Sequence, residues 1–146
     1  METILAPLPL GTSDFSALRK SGQIYVDKTR LIYTLASKRQ KFFLSRPRRF
    51  GKSLLLSTFE SLFKYGLRDF HGLEIESLWK DENTYQVIRL DFSNLKDFSS
   101  VEEFSELLDQ YLLDTLTVNR LVSPIKTDKE GLRAFIGWLA SRPTTP

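Results

Sequence analysis

Residues 42–56 read Phe-Phe-Leu-Ser-Arg-Pro-Arg-Arg-Phe-Gly-Lys-Ser-Leu-Leu-Leu. A short apolar run meets a turn with three arginines. The turn closes on Gly51-Lys52-Ser53, and an apolar pattern with helical spacing follows at once. This order predicts strand, basic loop and helix N-terminus. The first N–H groups of a helix lack intrahelical acceptors, and the helix dipole adds partial positive charge there, so such a junction suits an anion.

The residue types fit a phosphate chain. Gly51 allows close backbone approach, Lys52 can reach β- and γ-phosphates, and the Ser53 hydroxyl can ligate Mg²⁺. The general phosphate-loop pattern places a glycine five residues before Gly51, where this chain has Arg46. Gly-Lys-Ser alone recurs by chance, so the flanking strand and helix signals and the arginines carry the reading. The plain alternative is a solvated basic turn.

A longer ordered set of motifs surrounds the loop. It comprises Leu10-Gly11-Thr12-Ser13-Asp14-Phe15, Tyr25-Val26-Asp27-Lys28-Thr29-Arg30-Leu31-Ile32, Arg46-Pro47-Arg48-Arg49-Phe50-Gly51-Lys52-Ser53-Leu54 and Val87-Ile88-Arg89-Leu90-Asp91-Phe92-Ser93. In this order they resemble the AAA-ATPase-like family of prokaryotic proteins, in which Arg-Pro-Arg-Arg-Phe-Gly-Lys-Ser/Thr is the usual loop. The resemblance implies an ATP-binding module with Mg²⁺ as cofactor. Its nucleotide contacts would come from Arg48, Arg49, Phe50, Gly51, Lys52, Ser53 and Leu54, with Lys52 as the catalytic residue and Ser53 on the metal. It also implies base contacts from Lys28 and Thr29, whereas Asp27 reads as a helix cap. The family's acidic strand follows a helix pair corresponding to residues 101–140. The resemblance therefore implies the N-terminal part of such a domain, ending before the Mg²⁺ acid, with exposed apolar edges or self-association. Asp91 reads as a polar strand end rather than that acid. A restriction-nuclease-like domain often follows in full-length members.

The expected fold class is α/β, a partial P-loop fold with a mostly parallel sheet flanked by helices. One domain is expected over residues 1–146. A lead-in and helix occupy 1–39, strand, loop and helix occupy 40–66, and a second strand with a helix pair occupies 85–141. Residues 23–26, 41–45 and 85–92 read as strands. Helices are expected from a cap at Thr12, Ser13 or Asp14 to about Ser21, over 28–38, over 53–65 with Gly66 as terminator, from 101 after Ser99 or Ser100, and over 129–139. Residues 67–84 read as loops with one or two helical turns.

Several chemistries are excluded or disfavoured. The chain lacks cysteine, so disulfides and thiol nucleophiles are absent, and its one histidine, His71, leaves little for a histidine triad. No apolar run approaches the ~18–20 residues of a membrane span, and the N-terminus lacks signal-peptide features. A cytoplasmic setting is expected. Two other functions compete with ATP binding. Arg46, Arg48 and Arg49, with Lys38, Arg39, Lys41 and a stacking Phe50, could track nucleic acid. Alternatively, helices 101–116 and 129–139 could pack on a partner.

Overall fold

Five α-helices and two 3-10 turns make up the regular structure of the computed structural model, which describes residues 6–38 and 40–118. No strand occurs among the described residues. The expected parallel sheet is therefore corrected to a helical architecture. Residues 23–26, 41–45 and 85–92 carry strand-like sequence but form no ladder. A strand needs a neighbour to accept and donate its backbone hydrogen bonds, and two of these segments instead donate to a loop carbonyl and to a carbonyl in the last turn of a helix. The Ile24 N–H donates to the Pro7 carbonyl at 2.9 Å, and the Tyr85 N–H to the Phe63 carbonyl at 2.7 Å. Phe43, expected in a doubly buried strand, is 94% exposed.

The chain divides into two compact units, the first ending at Val87 and the second beginning at Ile88. In the first, helix α1 (Phe15–Lys20) starts at Asp14, whose carboxylate accepts from the Ala17 N–H at 2.7 Å. Helix α2 (Thr29–Ser37) is followed by the basic loop and α3 (Lys52–Tyr65). Gly66 ends α3 at φ 60°, a left-handed conformation that side chains disfavour. A 3-10 turn (Gly66–Asp69) and the short α4 (Ile75–Leu78) complete the unit, matching the helical turns expected over 67–84.

Helix α1 packs on α3 and on the 3-10 turn, while α2 packs on α4. Phe15, Ile32, Leu62, Phe70, Leu73, Ile75 and Trp79 form the core. Phe15 lies edge-on to Tyr25 at 5.1 Å and beside Phe70 at 4.7 Å between ring centres. The buried face of α3 differs from the apolar spacing. Ser57, Thr58, Ser61 and Leu62 are buried, and Leu56 is 55% exposed. The hydroxyls are accommodated because each has a partner. Ser57 Oγ accepts from the Phe15 N–H at 2.7 Å, Thr58 Oγ1 donates to the Leu54 carbonyl at 2.8 Å, and Ser61 Oγ donates to Asp69 at 2.7 Å.

The second unit contains a 3-10 turn (Phe92–Asn94) and α5 (Val101–Val118). Ser100 caps α5: its Oγ accepts from the Glu103 N–H at 3.1 Å, and Glu103 reaches back to the Ser99 N–H at 2.7 Å. This reciprocal arrangement is a capping-box variant. Phe98 and Phe104 pack at 4.9 Å, and Phe92 packs on Tyr111 at 5.9 Å. The expected helix over 129–139 lies outside the described residues.

Candidate functional site

The loop before α3 owes its shape to two left-handed residues. Arg49 has φ 65° and Gly51 has φ 74°, and Gly51 is the N-cap of α3. The glycine tolerates this conformation; the arginine does so at a small steric cost of about 1 kcal/mol. A Cβ added at Gly51 would meet nothing within 4 Å, so open space adjoins the backbone there. No side chain caps α3, and its first turn holds no acid. Its first N–H groups thus face outward without a carboxylate competing for them.

Lys52 Nζ donates to the Arg46 carbonyl at 2.7 Å, closing the loop on itself. Arg46, Arg48, Arg49, Phe50, Gly51, Lys52 and Ser53 are all exposed, and Leu54 is half-buried. The seven expected contact residues, 48–54, are thereby brought together on one loop and helix end. Residues 28–59 hold nine of the chain's 21 lysines and arginines and none of its 18 acids. Among the described residues of this stretch, only Arg30 forms an ion pair, with Glu74 at 2.6 Å.

Next to the loop lies a cavity of about 360 Å³. Arg46, Phe50, Gly51 and Leu54 form its loop side, and Tyr25, Lys28, Leu31, Leu35 and Leu44 contribute further walls. This size falls in the range of small-molecule pockets. Tyr25 and Thr58 bring the only side-chain hydroxyls among its walls, and that of Thr58 donates to the Leu54 carbonyl. Burial pushes the Tyr25 phenol up. The cavity walls are therefore apolar with cations at Lys28 and Arg46 and no carboxylate.

Lys28 and Thr29, paired by the sequence reading as base contacts, separate. Lys28 lines the cavity. Thr29 is fully buried and is not among the cavity walls. Its hydroxyl donates to Asp27 at 2.7 Å and accepts from the Ile75 N–H at 3.0 Å. Asp27 also accepts from the N–H groups of Thr29 and Glu74, both at 2.8 Å, and so ties the start of α2 to the start of α4, although Lys28 rather than Asp27 is the N-cap residue of α2. Burial pushes the Asp27 carboxyl up, but these hydrogen bonds outweigh it and hold the group below its ordinary range. Nothing along the chain marks Tyr25, Leu31 and Leu35 as cavity walls, since Leu31 and Leu35 look like an ordinary core face.

The Mg²⁺ expected at Ser53 is not matched by the donor set. Magnesium takes oxygen ligands in octahedral geometry and is usually held through one or two carboxylates plus phosphates. Ser53 offers one neutral hydroxyl, and no group of three or more His, Cys, Asp or Glu side chains suited to a metal occurs among the described residues. Asp91 lies in the second unit and is spent locally: its carboxylate accepts from the Ser93 N–H at 3.0 Å, which holds it below its ordinary range. Asp91 caps a 3-10 turn rather than ending a strand.

The family model described as "Predicted AAA-ATPase" matches residues 9–140. The chain belongs to the AAA-ATPase-like family. The match agrees with the ordered motifs around the loop. This AAA-ATPase-like chain is also 33% identical over 133 residues to an "Uncharacterized protein in vnfD 5'region" of Azotobacter chroococcum mcd 1. The alignment covers 90% of this chain and 25% of that protein, so the chain spans about a quarter of its relative's length. No solved structure matches it. Among the described residues no helix is long and apolar enough to cross a membrane.

Proposed function

We propose that this AAA-ATPase-like chain is an ATP-binding module that works in the cytoplasm and binds the nucleotide without turning it over by itself. The triphosphate sits on residues 48–54, with Lys52 and the arginines facing it and the base directed to the adjoining cavity. The observation that carries this reading is the continuity of an uncapped, acid-free helix N-terminus with an apolar cavity that shares Phe50, Gly51 and Leu54 with it. Lys52 is available because its one bond, to the Arg46 carbonyl, is replaceable by a phosphate oxygen.

Titration calorimetry with a non-hydrolysable ATP analogue tests the reading, beside Lys52→Ala. Saturable binding by the parent chain and its loss in the variant, with unchanged circular dichroism, is the expected result. Equal affinity in both proteins refutes the role of Lys52.

A second reading rests on Phe42 and Phe43, which are exposed beside Lys41 and near the loop arginines. Exposed aromatics with cations suit single-stranded nucleic acid. Binding of an oligonucleotide that falls steeply with salt and persists at saturating ATP would favour it.

A further inference from the structure

The loop carries a charge arrangement that bears on which form of the nucleotide it takes. Arg46, Arg48, Arg49 and Lys52 place four cations within seven residues, and no acid occurs between residues 28 and 59. Among the described residues none of the four makes an ion pair. A metal-free nucleoside triphosphate carries about four negative charges at neutral pH. The loop's own cations match that number. A bound Mg²⁺ would add two positive charges to a site already neutralised, where the loop and helix end offer it only the Ser53 hydroxyl.

We propose that the loop binds the metal-free triphosphate, with its arginines in the place that Mg²⁺ takes in other nucleotide sites. The inference rests on the ATP-binding reading and deepens it. Guanidinium groups suit this task because they stay charged and can donate two parallel hydrogen bonds to phosphate oxygens. The positive φ of Arg49 puts two left-handed residues, Arg49 and Gly51, in the turn before the helix. That backbone arrangement favours an anion-binding concavity of N–H groups.

The test is calorimetric titration of the full chain with a non-hydrolysable ATP analogue, once in EDTA and once in millimolar Mg²⁺. Affinity in EDTA equal to or tighter than in Mg²⁺ is expected. The double variant Arg48→Gln, Arg49→Gln should lose about tenfold or more of the EDTA affinity, and Ser53→Ala is titrated beside it in both solutions to report any metal contribution. Both sets of positions are exposed, so circular dichroism should remain that of the parent. Tightening by Mg²⁺ of about tenfold or more, removed by Ser53→Ala, would overturn the inference and leave the ATP-binding reading standing. No binding in either solution would overturn that reading, and the inference with it.

Discussion

Two charged regions of the first unit are built in opposite ways. One is the carboxylate cluster at Asp69, which ties α1, α3 and the 3-10 turn together. Asp69 accepts from the hydroxyls of Ser16 and Ser61, and Arg68 donates to both its oxygens at 3.0 and 2.9 Å. Arg19 Nε donates to its backbone carbonyl at 3.1 Å, and Arg68 lies 3.8 Å over the Tyr65 ring. The other region is the loop at residues 46–52, where, among the described residues, four cations share one side-chain hydrogen bond, from Lys52. A satisfied buried charge holds a fold in one arrangement, because removing a partner leaves a costly orphan. An unsatisfied exposed charge contributes little to stability and remains free for a ligand. The difference separates residues that hold the fold from residues suited to bind.

Breaking the core beneath the Asp69 cluster should have the largest effect. Phe15 is fully buried between Tyr25 and Phe70, so Phe15→Ala should cost about 3–5 kcal/mol in urea unfolding. A loss under about 1 kcal/mol would mean that the core does not depend on this ring.

Asp69→Ala comes next. It strands two hydroxyls and a guanidinium and should cost about 2–3 kcal/mol. Its pH dependence has a definite sign. The Arg68 guanidinium, against the cost of burial and aided by Ser16 and Ser61, holds the Asp69 carboxyl well below the usual carboxylate range. A folded-state pKa below the unfolded one gives stability that is fully present above about pH 4 and is lost as pH falls toward the folded value. Unfolding midpoints measured from neutral to acidic pH should therefore fall less steeply in Asp69→Asn than in the parent. Parallel curves would remove Asp69 from the acid response.

Ser100→Ala, in the second unit, deletes a single cap and should cost about 1 kcal/mol of α5 stability, read by helical circular dichroism on heating. The smallest stability effect belongs to the loop. Lys52→Ala should shift unfolding by less than about 0.5 kcal/mol while removing nucleotide binding. A large stability loss there would erase the contrast between the two regions.

The comparison also shows which features are readable along the chain. Asp14, Gly66, Ser100 and Glu103 act where their residue types place them, because caps are set by bonds to neighbours within four residues. The loop motif was legible for the same reason: contact residues 48–54 are consecutive. Asp69 gave no such signal. Its partners Ser16 and Ser61 lie 53 and 8 residues away, and α1 and α3 must pack before they meet. The buried hydroxyl face of α3 was hidden similarly, since Ser57 looks solvent-facing until the Phe15 N–H arrives as its partner.

Residue order along the chain is enough to locate most helix ends, the basic loop with its acid-free flanks, and membership of the AAA-ATPase-like family. These depend on local backbone chemistry or on residue order. Packing in three dimensions is needed to see that three strand-like segments form no ladder, that Thr29 is buried as a link between Asp27 and Ile75, and that Lys28 opens onto a cavity. Each depends on what lies across from a residue in space. A β-ladder, a shared cap and a cavity wall all need a second segment, and residue spacing along one segment cannot specify that partner.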